Sequence, residues 1–186
     1  MDYILYFFLF SFFGWVLETV YAAFVYKRFV SKQTLLKSPL CPIYGIGALA
    51  LMIALKPVSD SYILLFCGGF FIASSVEYLI AVYYEHYYNV MWWDYGAERG
   101  NLGGKVCVFN SIVWGIMTIV FFKVLLPLSE RLIASVDGFS KALLCVLSVS
   151  FFMTDYRDTM LELKKYSKKE KSAADGKFVA LKRINC

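Results

Sequence analysis

Residues 62–84 read YILLFCGGFFIASSVEYLIAVYY, and Glu77 is the only charged side chain among them. A hydrocarbon core about 30 Å thick takes a helix of roughly 17–25 residues, so this stretch reads as a membrane span. Residues 3–26, YILYFFLFSFFGWVLETVYAAFVY, repeat the pattern with Glu18 as their only charge. A carboxylate at the centre of a membrane helix costs roughly 2.5–3.5 kcal/mol on insertion scales. Such residues usually face a bundle interior or a hydrated cavity, and by default they mark a functional site. The spacing agrees. Gly14, Glu18 and Ala22 fall at i, i+4 and i+8, as do Ala73, Glu77 and Ala81. Residues four apart share a helix face, and stripes of small residues let membrane helices approach closely.

Outward from these two runs, the 186 residues are 60% hydrophobic and 19% aromatic, with a mean hydropathy of +0.60. A soluble domain has about 45–50% apolar residues. The excess is gathered in blocks, which predicts an all-α polytopic membrane helix bundle of about five spans. They cover about residues 3–26, 40–56, 62–84, 106–127 and 139–157. Pro42 opens the second span and Pro57 closes it, and Pro127 ends the fourth. The second is short and the fifth is crowded by charge, so these are the weaker signals. The bundle is expected to occupy residues 1–160, and residues 161–186 a basic cytoplasmic tail that is solvated and partly without fixed structure. Met1-Asp2-Tyr3 carries no basic segment, and the first run is too long for a signal peptide, so no cleavage is expected.

Net charge is +5, but the basic residues are segregated. Lys27, Arg28, Lys32 and Lys37 lie between the first two spans, Arg99 and Lys105 between the third and fourth, and most of the rest follow residue 156. The positive-inside rule puts the N-terminus outside and the C-terminus in the cytoplasm, which needs an odd number of spans. The same segregation argues against nucleic acid as a partner. The lipid bilayer is the expected one, with the tail near anionic lipid. Five scattered cysteines without a CxxC pair, and one histidine, His86, point to no metal, disulfide framework or cofactor.

The first four spans hint at duplication of a two-helix unit. Glu18 and Glu77 sit at like positions in inward-running helices. The return helices each place an aromatic residue directly before glycine, at Tyr44-Gly45 and Trp114-Gly115. Transporters often contain such repeats.

Helix rise gives depth. Glu18 and Glu77 lie about 10–12 Å from the cytoplasmic ends of their helices, at ~1.5 Å per residue. Asn110 and Ser111 reach a similar depth, and Tyr44 and Thr154 can join them. These residues predict one polar pocket open toward the cytosol, with the glutamates on opposing walls. Close carboxylates would share a proton or bind a cation or a cationic or polar solute. The competing reading is that each glutamate only bonds a neighbouring helix and fixes packing.

The third loop, EHYYNVMWWDYGAERGNLGGK (85–105), is aromatic and glycine-rich. Trp93, Asp94, Tyr95 and Asn101 are its candidate functional residues. It is expected either to fold back and cap the pocket or to serve as an aromatic belt at the membrane interface.

GWVLETVY (14–21), SPLCPIYGIG (38–47), the Glu77 helix and WWDYGAERGNLGGKVCVFNSIVWG (92–115) together resemble the CmpB-like ABC-transporter type IV permeases, a family of bacterial multi-pass membrane proteins. The resemblance covers residues 5–125. Its pattern falls on Gly14, Trp15, Glu18, Tyr21, Pro39, Cys41, Pro42, Tyr44, Gly45, Glu77, Trp93, Asp94, Tyr95, Asn101, Gly104, Trp114 and Gly115, and so adds Tyr21 to the pocket. Ser38, Gly96 and the stretch Glu98-Arg99-Gly100 depart from it. The resemblance implies a transport component of the bacterial plasma membrane. These residues hold no GxxxxGK[ST] phosphate loop, so an ABC role is expected to need a separate ATPase subunit, or assembly as a homo-oligomer. The alternative is a membrane scaffold or regulatory interaction subunit without transport activity. No catalytic set is expected, since neither His86 nor a cysteine supplies a convincing nucleophile.

Overall fold

The computed structural model describes the backbone of residues 1–26 and 36–173, and the side chains of 1–24 and 36–165. The expected positive cluster at Lys27, Arg28 and Lys32, and the tail beyond 173, lie outside the described residues. Six helices carry the fold: α1 (Asp2–Tyr26), α2 (Pro42–Leu55), α3 (Tyr62–Tyr88), α4 (Val108–Val120), α5 (Leu126–Ala134) and α6 (Gly138–Ala173). Among the described residues the only extended pairing is an isolated bridge between Leu102 and Val106. The chain is an all-α polytopic bundle. Asp2–Phe24, Tyr62–Tyr88, Val108–Ala134 and Gly138–Lys165 are long and apolar enough to cross a membrane, and Pro42–Val58 is a shorter apolar helix.

Local chemistry sets the boundaries. Pro42 takes the first turn of α2, where its missing N–H costs nothing. The Ser61 hydroxyl accepts the Leu64 N–H and starts α3. Asn89, at φ 58°, stops α3 in the left-handed region, which asparagine tolerates better than most residues.

One boundary differs from expectation. Pro127 does not end the fourth span. A π turn at Phe121–Leu125 joins α4 to α5, with the Leu126 N–H bonded to the Phe121 carbonyl. Proline in a helix removes a hydrogen bond and pushes against the carbonyl four residues back. The widened turn before Pro127 absorbs that conflict, and the helix continues to Ala134. α6 likewise runs past residue 160 to Ala173.

From α1 to α4, consecutive helices pack antiparallel. Gly45 of α2 lies against Phe7 and Ser11 of α1, Gly68 of α3 against Leu55, and Gly115 of α4 against Phe66. α6 instead runs parallel to α1: the Phe152 ring meets Phe7 and Phe8, Lys141 pairs with Asp2, and Cys145 reaches the Met1 carbonyl. Met1 and the end of α6 therefore lie at opposite ends of the bundle, the arrangement that five passes produce. Charges in α6 have partners at its far end, where Asp155 accepts the Ser38 N–H and Glu162 pairs with Lys37.

Two apolar clusters hold the ends. Near the chain start, Tyr6, Phe10, Leu51, Leu65, Phe121 and Leu126 pack together. At the other end Tyr84, Tyr88 and Val90 pack with Met160 and Leu163.

Candidate functional site

The glutamates are held by aromatic side chains from the helices that follow them. Tyr44 donates its O–H to Glu18 Oε1 at 2.7 Å. Trp114 donates its indole N–H to Glu77 Oε2 at 3.1 Å. The two aromatics also touch each other, ring centroids 5.6 Å apart and edge to face. Glu18 and Glu77 are thus joined through a Tyr44–Trp114 bridge. Small residues make the approach feasible. A side chain at Gly14 would enter the Tyr44 ring, and one at Gly69 would strike Thr118.

Glu77 is 5% exposed, deeply buried for a carboxyl. Its second oxygen accepts the Tyr95 hydroxyl at 3.0 Å, so the loop between α3 and α4 does reach back into the bundle. Burial, then the Glu77 charge and the hydrogen bond to it, push the Tyr95 phenol well above its ordinary value, with a smaller contribution from Glu18. Tyr95 stays protonated and keeps donating.

The rest of that loop is folded by its own polar groups. Asn101 Oδ1 accepts the Gly104 N–H at 3.1 Å, and its Nδ2 donates to the carbonyls of Glu98 at 2.8 Å and Gly96 at 3.3 Å. Asp94 Oδ1 accepts the Gly96 N–H at 2.8 Å. Trp93 donates to the Lys105 carbonyl at 2.7 Å, and the Tyr95 N–H to that of Gly104 at 2.8 Å. Gly104 sits at φ 70°, and a Cβ there would lie 2.7 Å from Asp94 Oδ1. Lys105 pairs with Glu85 at 2.7 Å and ties the loop to the end of α3. Of the four loop residues singled out from the sequence, Tyr95 is the one bonded to a glutamate of the membrane helices. Trp93, Asp94 and Asn101 shape the loop that carries it.

A chamber of about 110 Å³ lies between α1, α2, α3 and the α4–α5 helix. Its polar end is formed by Tyr44, Glu77 and Trp114, and its body by residues such as Phe10, Phe13, Leu17, Leu51, Phe121 and Leu125. Phe121 and Leu125 belong to the π turn, a feature often found at functional sites.

The other expected pocket residues stand elsewhere. Glu18 is partly buried beside Tyr44 and does not line the chamber. Tyr21 is 60% exposed on the outer face of α1. Ser111 is buried and bonds Ser74 at 2.7 Å, joining α3 to α4. Asn110 is half-buried and off the chamber wall. Thr154 is exposed and bonds the Phe151 carbonyl of its own helix. The sequence reading did not assign Trp114 to Glu77, although the matched Tyr44-Gly45 and Trp114-Gly115 pairs carried that signal. Among the described residues no cluster of three metal-ligating side chains occurs.

Four long apolar helices and a shorter one define a multi-pass membrane protein. The chain belongs to the family described as "Putative ABC-transporter type IV", whose family model matches residues 5–160. That membership makes it a transport-related membrane protein. No curated protein and no solved structure matches it.

Proposed function

We propose that this chain is the membrane-embedded subunit of a transport system in the bacterial plasma membrane, and that Glu77 handles a cation, a proton or a small polar solute, with Glu18 in support. The observation that carries the reading is the Glu77 carboxyl at the chamber wall, held by Tyr95 and Trp114, with no lysine or arginine paired to it among the described residues. A carboxyl used only for packing needs no chamber beside it. In this reading the loop bearing Tyr95 faces the cytosol, following the positive-inside rule, and the solute passes when that loop releases Glu77. The energy source is a separate ATPase subunit. The chain itself is read as non-catalytic.

The test is complementation. A deletion strain is profiled for solutes that accumulate or disappear, then supplied with the wild-type chain, Glu77→Gln or Glu18→Gln. The reading expects Glu77→Gln to reproduce the deletion profile while the protein still reaches the membrane in normal amount. A wild-type profile from both mutants would overturn it. The Tyr44–Glu18 bond, which ties α1 to α2, supports the scaffold alternative. That alternative expects normal solute levels but loss of a co-purifying protein.

A further inference from the structure

We propose that the chamber binds an organic ammonium ion, its charged head at Glu77 and its apolar body among Phe10, Phe13, Leu51, Phe121 and Leu125. The inference rests on the reading of Glu77 as a solute-handling residue and names the chemical class of the solute.

The chamber is polar at one end only. Tyr44, Glu77 and Trp114 stand there, and the rest of the wall is largely apolar, with phenylalanine and leucine from α1, α2 and the π turn and Ala73 and Val76 from α3. The Thr118 hydroxyl, also on the wall, is spent on the Trp114 carbonyl at 2.8 Å. A hydrophilic solute would lay its polar groups against hydrocarbon, with a desolvation cost and no return. An anion would meet the carboxylate. A bare metal ion is poorly served: a hard cation takes about six or more oxygen ligands, and among the described residues Glu77, Tyr44 and Thr118 are the only oxygen-bearing side chains on the wall.

An ammonium head fits what remains. Each Glu77 oxygen accepts one hydrogen bond, while a carboxylate offers about four lone-pair sites, so acceptor capacity is left. Tyr44 donates its proton to Glu18, leaving its oxygen free to accept. The Tyr44 and Trp114 rings, edge to face at the polar end, add faces suited to cations. Size limits the body. An apolar cavity of about 150 Å³ takes benzene, so the chamber, at about 110 Å³ and half-open where Phe13 and Leu17 are exposed, takes no more than one ring or a short branched chain.

Gly47 provides a clean control. It lines the chamber, and a Cβ added there meets nothing within 4 Å. Gly47→Leu therefore meets no clash at its Cβ and is the variant expected to occupy the chamber, and it removes a flexible residue from α2.

The experiment uses the full chain in lipid nanodiscs, titrated with 4-fluorobenzylamine and followed by fluorine NMR, with empty nanodiscs subtracted. Protein-dependent binding is expected. 4-Fluorobenzyl alcohol, titrated directly, and methylammonium, read by displacement of the fluorinated amine, should each bind about tenfold more weakly or worse, the loss of a charged contact or of the apolar body. Glu77→Gln should weaken the amine by about tenfold and leave the alcohol unchanged, and Gly47→Leu should abolish binding of both. Equal binding of amine and alcohol, retention in Gly47→Leu, or no binding to wild-type protein of native helical content would overturn the proposal. The two readings fail separately. If no amine binds but Glu77→Gln still reproduces the deletion profile, the solute class is wrong and the transport reading stands. If the amine binds as expected but that mutant strain is normal, the site stands and the transport reading falls.

Discussion

Phe7 and Phe66 do the same work at two places in the bundle. A Cβ on Gly45 would lie 2.6 Å from the Phe7 carbonyl oxygen and 2.7 Å from its ring, and one on Gly115 would lie 2.9 Å and 2.7 Å from the same groups of Phe66. Each phenylalanine stands eleven residues before a membrane glutamate, Glu18 or Glu77. Each glycine follows the aromatic residue that bonds that glutamate. The α1–α2 and α3–α4 pairs thus share one set of internal contacts, the correspondence expected of a duplicated two-helix unit. The spacing between glutamate and aromatic is 26 residues in one pair and 37 in the other; the added length is shared between a longer end to α3, a longer loop and the deeper place of Trp114 in α4.

Glycine contacts of this kind predict opposite effects at neighbouring sites. Gly115→Ala forces α4 away from the Phe66 backbone and should destabilise the protein by about 1–3 kcal/mol, the usual cost of overpacking. Gly47→Ala meets open space and should be neutral or stabilising by up to about 1 kcal/mol through helix propensity. Thermal melts in one detergent, monitored by helical circular dichroism, compare the two. Equal losses would show that the Phe66 contact does not set the α3–α4 distance.

The loop depends on one amide. Asn101→Ala removes three hydrogen bonds that fix the loop's turn and should cost about 1–3 kcal/mol. Arg99, exposed in that turn, should become a faster trypsin site. A cleavage rate unchanged from wild type would mean the loop is held by Lys105–Glu85 and Trp93 alone.

Alkaline pH should act on Tyr95. Its folded-state value is raised above the ordinary phenol value near 10. Above that value the unfolded chain releases a proton that the folded chain keeps, so the Tyr95 contribution is complete below about pH 10 and fades as pH rises further. Tyr95→Phe should flatten stability against pH in that range. Trypsin protection at Arg99, followed across that range, reports whether the loop loosens with it.

Trp114 and Glu77 should be coupled. Trp114→Phe removes one donor from a buried carboxyl and is expected to cost about 1–3 kcal/mol. In a Glu77→Leu background the same change should cost almost nothing, giving a coupling of about 0.5–3 kcal/mol in a double-mutant cycle. Additive losses would show that the indole matters for packing alone.

Much of this arrangement was legible in the chain. Uninterrupted apolar runs marked α1 and α3, and a lone glutamate with small residues four positions away marked the faces that turn inward. The partner of Glu77 was harder. An indole N–H and a carboxyl separated by 37 residues leave no periodic trace, and only the parallel with Tyr44-Gly45 pointed to Trp114. Tyr21 shows the converse: it lies three residues after Glu18, and it is exposed. Asn110 and Ser111 were placed by depth alone, and depth does not fix the direction in which a side chain leaves its helix. Pro127 read as a stop because the sequence shows the missing N–H but not the wider turn that accommodates it.

That turn has a cost in register. A single extra residue in a helix with 3.6 residues per turn rotates everything beyond it by about 100°. Glu130, which now meets Lys56 at 3.1 Å, and Ile133, which packs in the apolar cluster, owe their bearings to it. Removing one residue between 121 and 125 would straighten the rod and at the same moment swing its outer third to face the wrong neighbours. The stretch is thus a phase corrector, and a deletion there should harm side chains it never touches.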